Sequence, residues 1–224
     1  MKKTEVMTNP FFDIEHKGDE DIILNKQNIA KIKEITKELV KKSGILLISG
    51  EHGSGKSLVE NEIECDLPKS YKIKKFEFSK DLEAELRGIP LATLRQKKLI
   101  VEIDHFELSE VIDDHKLKRI LDMIEISAKS GVGYILSCTP ETLERIQEVS
   151  PSFKRTAKVY RTPSFTFEQA KQIVISRLNA VRHKKSNSIE PFTEYQLKSV
   201  WNKSNGNPKM ILLLCGTLYD ALNS

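Results

Sequence analysis

Apolar and polar residues follow one another along the chain in two rhythms, one typical of strands and one typical of helices. Short apolar or alternating runs predict five strands, at residues 45–48, 71–78, 97–104, 134–137 and 158–161. Residues at helical spacing predict helices at 26–42, from 58 to 64, at 80–95 with a break near Gly88-Ile89-Pro90, at 109–129, and from Pro140 onwards. The inner face predicted for 109–129 consists of Val111, Ile112, Leu117, Ile120, Leu121, Ile124 and Ile126. Strands that alternate with helices form a parallel sheet covered on both faces, so the pattern predicts an α/β fold.

The pattern changes after Pro163, where helices follow one another without intervening strands. Apolar spacing predicts three of them, at 166–183, 193–203 and 208–222, separated by polar turns. Together they predict a small, all-α, lid-like subdomain. We therefore predict an N-terminal arm at residues 1–25, an α/β core at 26–163 and a three-helix lid at 164–224.

Composition narrows the class of protein without identifying it. The chain of 224 residues is 39% hydrophobic and 30% charged, enough apolar material for a real core. No apolar run approaches the roughly 20 residues of a membrane span, and the first residues lack the apolar core of a signal peptide. Cys65, Cys138 and Cys215 have no metal-site spacing. We expect a cytoplasmic protein without membrane insertion. A net charge of +4 permits a nucleic-acid partner without requiring one.

The stretch Gly50-Glu51-His52-Gly53-Ser54-Gly55-Lys56-Ser57 fits the pattern Gly, four residues, Gly-Lys-Ser/Thr, between a predicted strand and a predicted helix that continues at Leu58. Gly50, Gly53 and Gly55 are expected to take positive φ and let the backbone wrap a phosphate. Inward N–H groups and the helix N-terminus attract the anion. Lys56 is expected to reach the β- and γ-phosphates, and the Ser57 hydroxyl to bind Mg²⁺. We therefore predict that residues 50–58 bind ATP.

A phosphate loop needs a second acid to hold Mg²⁺, and a residue that orients or deprotonates water if ATP is to be hydrolysed. Asp104, at the carboxyl end of the third predicted strand, is the candidate for Mg²⁺. His105 follows it and is the first candidate for the water. Glu102 is an alternative on the same side of the strand, and Glu107 is another if the strand ends early. It is equally consistent with the sequence that His105 only ends the strand and that hydrolysis is slow.

Further residues are candidates for contact with the nucleotide, each with a structural alternative. Thr139, and after it Ser137, end the fourth strand, where a hydroxyl senses the γ-phosphate or simply caps the strand. Arg155 precedes the last strand and is placed to enter a neighbouring subunit's site, or is a solvated surface residue. Lys209 begins the last helix and returns to the phosphates from the lid, or is a surface lysine. The segment Asn9-Pro10-Phe11-Phe12 predicts a hydrophobic anchor, an adenine-side wall, or both.

These segments together resemble an AAA+ ATPase over nearly the whole chain, from Asn9 to Ser224. The resemblance is carried by Gly50–Ser57, Leu99–Asp104, Arg155 before Phe165-Thr166-Phe167-Glu168, and Gly206-Asn207-Pro208-Lys209. The last segment is similar to the Gly-Asn-Pro-Arg segment of ATPases of the ExeA and TniB kind and of origin-recognition ATPases. Asn9-Pro10-Phe11 is similar to the start of the ExeA group.

The resemblance implies a parallel sheet in the order 5-1-4-3-2, a helical lid, and ATP sites shared between self-associating subunits. It implies that Lys56 and Ser57 bind phosphate and Mg²⁺, and that Asp104 holds Mg²⁺. It also implies that Thr139 is sensor 1, Arg155 the arginine finger and Lys209 sensor 2. The sequence departs from the family in two places. His105 stands where the family has a catalytic Glu, and Lys209 replaces a common Arg and loses its bidentate fork. We do not expect a counterpart of the winged-helix DNA reader that usually follows the lid of origin-recognition ATPases.

Three functions are consistent with this sequence. The leading hypothesis is an oligomeric ATP-dependent switch in DNA transactions such as transposition, replication initiation or repair. Its candidate contact to double-stranded DNA is the basic run Arg182-His183-Lys184-Lys185, which is otherwise a solvated face. The second is an ATP-binding adaptor that hydrolyses little or no ATP and acts on protein partners, which His105 favours. The third is a small-molecule kinase, against which Arg155 and the helical C-terminal region argue.

Overall fold

The structure is a computed structural model that describes residues 9–12, 19–79, 81–88 and 98–223. The strands are β1 (Ile45–Ser49), β2 (Lys72–Glu77), β3 (Leu99–Asp104), β4 (Gly133–Cys138) and β5 (Ala157–Arg161). The α-helices are α1 (Glu20–Ile23), α2 (Lys26–Lys42), α3 (Lys56–Asp66), α4 (Leu82–Arg87), α5 (Asp114–Lys129), α6 (Pro140–Val149), α7 (Pro151–Thr156), α8 (Phe167–Val181), α9 (Glu194–Lys203) and α10 (Pro208–Asn223). A 3₁₀ helix covers Phe106–Val111.

The chain divides into two compact units. The α/β unit comprises residues 26–51 and 56–162. The helical unit comprises, among the described residues, 9–12, 19–25, 52–55 and 163–223. The grouping therefore places residues 52–55 of the glycine-rich loop with the helical unit, and the residues on either side of them with the sheet.

The five strands of the α/β unit form one parallel sheet in the order β2-β3-β4-β1-β5. Counted from the other edge, this is the predicted order 5-1-4-3-2, and the predicted α/β fold is confirmed. Ser49 at the end of β1 lies opposite Cys138 on one side and Arg161 on the other. The carboxyl ends of the central strands therefore meet at one edge, where sheets of this kind bind ligands.

Both faces of the sheet are covered because the central strands are apolar on consecutive positions. On one face, Leu47, Val101 and Leu136 belong to a buried cluster with residues of α5 and α6. On the other face, α2 packs over the sheet, and Leu39 lies beside Ile100 and the backbone of Gly133. The unit buries two apolar layers around a central sheet.

The helix predicted at 109–129 is wrong in its first part. A 3₁₀ helix ends at Val111, and α5 begins only after Asp113, whose side chain caps it by accepting a hydrogen bond from the Lys116 N–H at 2.8 Å. Val111 is 68% exposed and Ile126 is 65% exposed, so neither belongs to the buried face predicted for them. An Asp whose side chain caps a helix marks the boundary between two elements, and the spacing of apolar residues does not reveal such a boundary.

Two other short elements differ from the prediction. The predicted helix at 80–95 is present as α4 in the described part, and residues 89–97 lie outside the described residues. The helix α7 was not predicted, although Ser150 caps it and Pro151 opens it. Both residues are signals of a helix start.

The helical unit contains the three helices that were predicted after Pro163, as α8, α9 and α10. Two of them begin with a capping box, formed by Thr166 with Gln169 and by Thr193 with Gln196. Among the described residues, no helix combines the length and the apolar content needed to cross a membrane.

The N-terminal arm is anchored within the helical unit. Phe11 is 3% exposed, and its ring packs against those of Phe192 and Tyr219. Asp19 forms a buried ion pair with Arg177 at 2.7 Å. The prediction of a hydrophobic anchor agrees with these contacts, and an adenine-side wall stays a prediction.

Candidate nucleotide-binding site

The glycine-rich loop connects the end of β1 to the start of α3. Gly53 and Gly55 have positive φ, at 77° and 94°. Gly50 does not, contrary to the prediction, because its N–H continues the sheet by donating to the Cys138 carbonyl at 3.1 Å. The first glycine therefore extends the strand, and the turn is made by the two that follow.

Lys56 is folded back along the start of this loop. Its ammonium group donates to the carbonyl oxygens of Gly50 at 2.8 Å and of Glu51 at 3.3 Å. Ser57, exposed in the first turn of α3, and the half-buried Leu58 follow it. A lysine in this position can exchange carbonyl oxygens for phosphate oxygens, and the N-terminal end of α3 adds its positive dipole.

Residues 52–55 contact the start of α10 within the helical unit. The Asn207 side-chain amide donates to the His52 carbonyl at 2.9 Å, and the Lys209 N–H donates to the Gly53 carbonyl at 3.4 Å. A Cβ at Gly53 would lie 2.4 Å from the Lys209 Cβ. Both this close contact and the positive φ therefore require glycine at this position. Gly206-Asn207-Pro208-Lys209 is thus in contact with the loop backbone, with the Lys209 side chain exposed.

A similar restriction holds at the end of the loop. A Cβ at Gly55 would lie 2.8 Å from the Ile23 side chain, and Gly55 has the higher of the two positive φ values in the loop. Ser54 and Gly55 are half-buried. The helical unit therefore fixes the backbone of residues 52–55 from two sides, through α10 and through α1.

Asp104 ends β3 at the same edge of the sheet as Lys56. Both influence the Glu60 carboxyl on α3, since the charge of Asp104 raises its pKa and that of Lys56 lowers it. The Asp104 carboxylate accepts the His105 N–H at 2.7 Å and is 38% exposed. A hydroxyl at Ser57 and a carboxylate at Asp104 are the hard oxygen ligands that Mg²⁺ prefers. The described residues contain no group of three or more His, Cys, Asp or Glu that could hold a metal.

His105 lies between two carboxylates in a left-handed backbone conformation. Its φ is 55°, which is uncommon for a residue other than glycine. Its Nδ1 is 3.3 Å from Glu107 Oε1, and its Nε2 is 3.7 Å from Asp104 Oδ2. The ring therefore links Asp104 to Glu107. This arrangement suits a residue that positions the two carboxylates as well as one that takes part in catalysis.

Glu107 approaches the nucleotide edge because β3 ends at Asp104 and a 3₁₀ helix follows. Its side chain is only 11% exposed. Burial raises the pKa of the Cys138 thiol to about 12, Lys56 opposes this rise, and Glu107 adds to it. Cys138 also holds Gly50 through its carbonyl, so the charge of Glu107 acts on a residue that contacts the start of the phosphate loop. Of the two glutamates considered for the water, Glu107 has the more suitable place.

Glu102 lies on the α3 face of the sheet, in a buried polar cluster. It pairs with Lys75 at 3.2 Å, and Lys75 also pairs with Glu64. Burial raises the pKa of Glu102, while Lys75 lowers it. The Glu102 carboxylate therefore belongs to a structural ion pair with Lys75.

The same cluster contains the residue that the sequence prediction missed, Glu60. It is 3% exposed and accepts a hydrogen bond from the Ser137 hydroxyl. Burial raises the pKa of Glu60 to about 8, and the charges of Asp104 and Glu102 add to the rise. Its position one turn after Lys56, between the buried Val59 and Ile63, was the available signal.

The hydroxyls of the two candidate sensor residues both form hydrogen bonds within the chain. Ser137 donates to Glu60, as described above. Thr139 is buried and caps α6, where its hydroxyl accepts the Thr142 N–H at 3.3 Å and lies 3.1 Å from the Thr142 hydroxyl. The capping alternative therefore accounts for the contacts of Thr139, and its role as sensor 1 stays a prediction.

Arg155 is exposed in the last turn of α7, immediately before β5. It forms no hydrogen bond or ion pair with any described residue. Because Ala157 starts β5 opposite Ile45 at the start of β1, Arg155 lies toward the edge of the sheet opposite to the phosphate loop of its own chain. An action on ATP would therefore require the site of another subunit.

A scan against models of protein families and a search of curated proteins find no match. Solved structures do match. The Aeropyrum pernix ORC2 protein with ADPNP and ADP has a TM-score of 0.54 and 15% identity, over 92% of this chain and 64% of that one. The Aeropyrum pernix ORC1 protein in complex with DNA has a TM-score of 0.52 and 13% identity, over 90% and 64%. The S. cerevisiae Hsp104–ADP complex has 0.56 and 15%, over 82% and 29%.

The present chain spans less than two thirds of the length of the two ORC proteins and less than a third of Hsp104. All three are AAA+ ATPases. At these identities the likeness concerns the fold, and the chain has the fold of AAA+ ATPases.

Proposed function

We propose that this chain is an ATP-binding and ATP-hydrolysing switch that self-associates and acts in DNA transactions such as transposition, replication initiation or repair. The observation that carries the ATP site is the phosphate loop. Two positive-φ glycines precede Lys56 at the start of α3, and Asp104 ends a strand at the same edge of the sheet. The Aeropyrum pernix ORC2 protein was solved with ADPNP and ADP and S. cerevisiae Hsp104 with ADP, which supports a nucleotide as ligand.

Hydrolysis is assigned to residues of the α/β unit. Lys56 binds the phosphates and stabilises their charge, while Ser57 and Asp104 would hold Mg²⁺, which would supply further charge stabilisation. Glu107 accepts the proton of the attacking water, and His105 positions it through the contact at 3.3 Å. In this proposal Glu107, whose side chain is 11% exposed, takes the role for which His105 was the first candidate.

The position of Arg155 supports self-association. Its guanidinium is exposed, has no partner among the described residues, and lies on the side of the sheet away from its own phosphate loop, so it could stabilise the transferred phosphate only in a neighbouring subunit. Lys209 is proposed to add a second cation from the helical unit, since its backbone contacts Gly53.

A role on DNA has weaker support. One neighbour was solved in complex with DNA. In the run Arg182-His183-Lys184-Lys185, the Arg182 guanidinium donates to the carbonyls of Ser188 and Glu190 and is occupied within its own loop. Lys184 and Lys185 are exposed and remain candidate contacts.

The alternative is an ATP-binding adaptor with weak or no hydrolysis that acts on protein partners. The observation that favours it is His105, which is about half exposed and stands directly after Asp104. If Glu107 does not act on water, this site binds ATP and turns it over slowly.

The experiment is steady-state ATPase activity at rising protein concentration, with and without double-stranded DNA. Wild type is compared with Arg155→Ala and with a matched control, Lys154→Ala, which removes the neighbouring exposed cation. We expect turnover per subunit to rise with concentration and with DNA, and Arg155→Ala alone to lower it about 10³-fold or more. Turnover that is independent of concentration and equal in both variants contradicts shared sites. Binding of ATP without turnover under any condition supports the adaptor.

A further inference from the structure

Six exposed lysines lie at the edge of the sheet where the strands begin, opposite to the nucleotide edge. This strand-start edge consists of Lys41 and Lys42 at the end of α2, Lys69 and Lys72 before and at the start of β2, Lys98 before β3, and Lys129 at the end of α5. All six belong to the α/β unit. Parallel topology brings them together, because helices that return from the carboxyl edge end where the next strand starts.

Contacts within the α/β unit show that the lysines form a continuous surface. The Lys72 N–H donates to the Lys98 carbonyl at 2.8 Å. The neighbouring Tyr71 hydroxyl donates to the Val40 carbonyl at 2.9 Å, which joins the start of β2 to the end of α2. Lys42 and Lys129 line the same shallow cleft. The row therefore runs from β2 across the sheet to the start of β1.

The charges of the strand-start edge are not neutralised by ion pairs. None of the six lysines forms an ion pair with a described residue, whereas Lys75 and Lys118 elsewhere in the unit pair with carboxylates. Three acids lie close by. Glu38 on α2 pairs with Lys158, a further lysine at the start of β5. Glu125 is buried and accepts the hydroxyls of Ser152 and Thr156, each at 2.8 Å. Asp66 is half-buried at the end of α3. The six lysines with Glu125 and Asp66 leave a net charge of +4 at this edge, equal to the net charge of the whole chain.

We propose that the strand-start edge binds the phosphate backbone of double-stranded DNA. Single-strand binding uses exposed aromatic rings for stacking. Of the aromatic residues described at the strand starts, Tyr71 is half-buried with its hydroxyl bonded and Tyr134 is buried. Binding at a membrane surface uses several apolar side chains, and among the described residues Ile126 is the one large exposed apolar side chain near Lys129. Lysines alone suit a duplex, whose phosphates attract them without sequence preference.

The size of the edge sets the expected salt dependence. Neighbouring strands are about 4.8 Å apart, so the three spacings from β2 to β1 cover roughly 14 Å. That length of duplex axis presents about four phosphates on each strand. Neutralising about four phosphates gives a slope of log K against log salt concentration of about −3.6.

This inference rests on the proposed role on DNA, and the test separates the two. Fluorescence anisotropy with a short labelled DNA duplex is measured over a series of salt concentrations for wild type, Lys42→Glu with Lys72→Glu, and Lys184→Glu with Lys185→Glu. The two double variants change the net charge equally and alter exposed residues of different units. A neutral pair, Lys42→Gln with Lys72→Gln, repeats the first change without new negative charge, and circular dichroism with ATP binding verifies folding.

We expect the reversal at Lys42 and Lys72 to weaken duplex binding by about tenfold or more and to reduce the salt slope by about 2, with ATP binding unchanged. The reversal at Lys184 and Lys185 is expected to weaken it by less than about threefold. The inference is overturned, and the role on DNA kept, if the second variant loses binding and the first does not, or if both lose it equally. A wild type that binds no duplex overturns both. Equal binding of vesicles of anionic lipid, lost in the same variant, also overturns the choice of DNA.

Discussion

The substitution Glu60→Gln is expected to stabilise the α/β unit, although it removes an ionisable group from a buried polar cluster. Burial, Asp104 and Glu102 raise the pKa of Glu60 from 4.5 to about 8. At ~1.36 kcal/mol per pH unit, this rise corresponds to roughly 5 kcal/mol between the ionised and protonated forms. A glutamine keeps an oxygen for the Ser137 hydroxyl and has no proton to lose.

The sign of the pH dependence follows from proton binding in the two states. Above pH 4.5 the unfolded chain has lost the proton of Glu60, while the folded protein keeps it until about pH 8. The folded state therefore binds more protons in this window, and wild-type stability falls as the pH rises through it. The advantage of Glu60→Gln should be near zero below pH 4.5, grow by about 1.4 kcal/mol per pH unit, and reach about 3 kcal/mol at pH 7.

The assay is urea unfolding followed by circular dichroism at several pH values between 4.5 and 8.5. The matched control is Glu62→Gln, on the same helix but half-buried, which should change the free energy of unfolding by no more than about 0.5 kcal/mol. An advantage of Glu60→Gln that does not grow with pH would refute the reasoning. A destabilising effect at pH 7 would mean that Glu60 is ionised and held by Lys56 and Lys75.

Three further substitutions test the site and the helical unit. Glu107→Gln should lower ATP turnover about 10²-fold or more while ATP affinity is kept. The same change at Glu144, an exposed residue of α6, should have no effect. Equal turnover in wild type and Glu107→Gln would exclude Glu107 as the base. Gly53→Ala should lower the thermal midpoint, with a cost of at least ~1 kcal/mol, because φ is positive and Lys209 occupies the space of a Cβ; an unchanged midpoint contradicts this contact. Phe11→Ala should cost about 3–5 kcal/mol because its ring is buried among aromatic rings, and urea unfolding would reveal a smaller value if the arm is not anchored.

The strands of the sheet were predictable from the sequence because they depend on local signals, whereas their order was implied by the resemblance to AAA+ ATPases. Apolar runs such as 45–48 and 99–101 mark central strands, and the glycine-rich loop between a strand and a helix fixes which strand is β1. The capped helices of the helical unit, at Thr166 and Thr193, also carry their start signals in the sequence.

The contacts of the site depended on the fold and were not predictable in the same way. Glu60 meets Ser137 across 77 positions of sequence, and only the packing of α3 on the sheet brings the two together. Glu107 reaches the nucleotide edge because His105 takes a left-handed conformation and a 3₁₀ helix replaces the expected continuation of the strand. Neither event has a periodic signature in the sequence.

Thr139 is another residue whose contacts could not be predicted from the sequence alone. A hydroxyl after an apolar strand suits both a sensor and a helix cap, and Pro140 directly after it favoured the cap. The sequence was consistent with both roles, and the contacts within the chain account for the helix cap.

Calorimetric titration of ATP with Mg²⁺ into wild type and Lys56→Ala tests the central claim most directly. Circular dichroism and the thermal midpoint would establish that the variant is folded. The account predicts one ATP per wild-type chain and at least about tenfold weaker binding in the variant, since the ammonium group of Lys56 and the loop around it provide the phosphate site. Equal affinity in the two proteins, or no binding by the folded wild type, would contradict it.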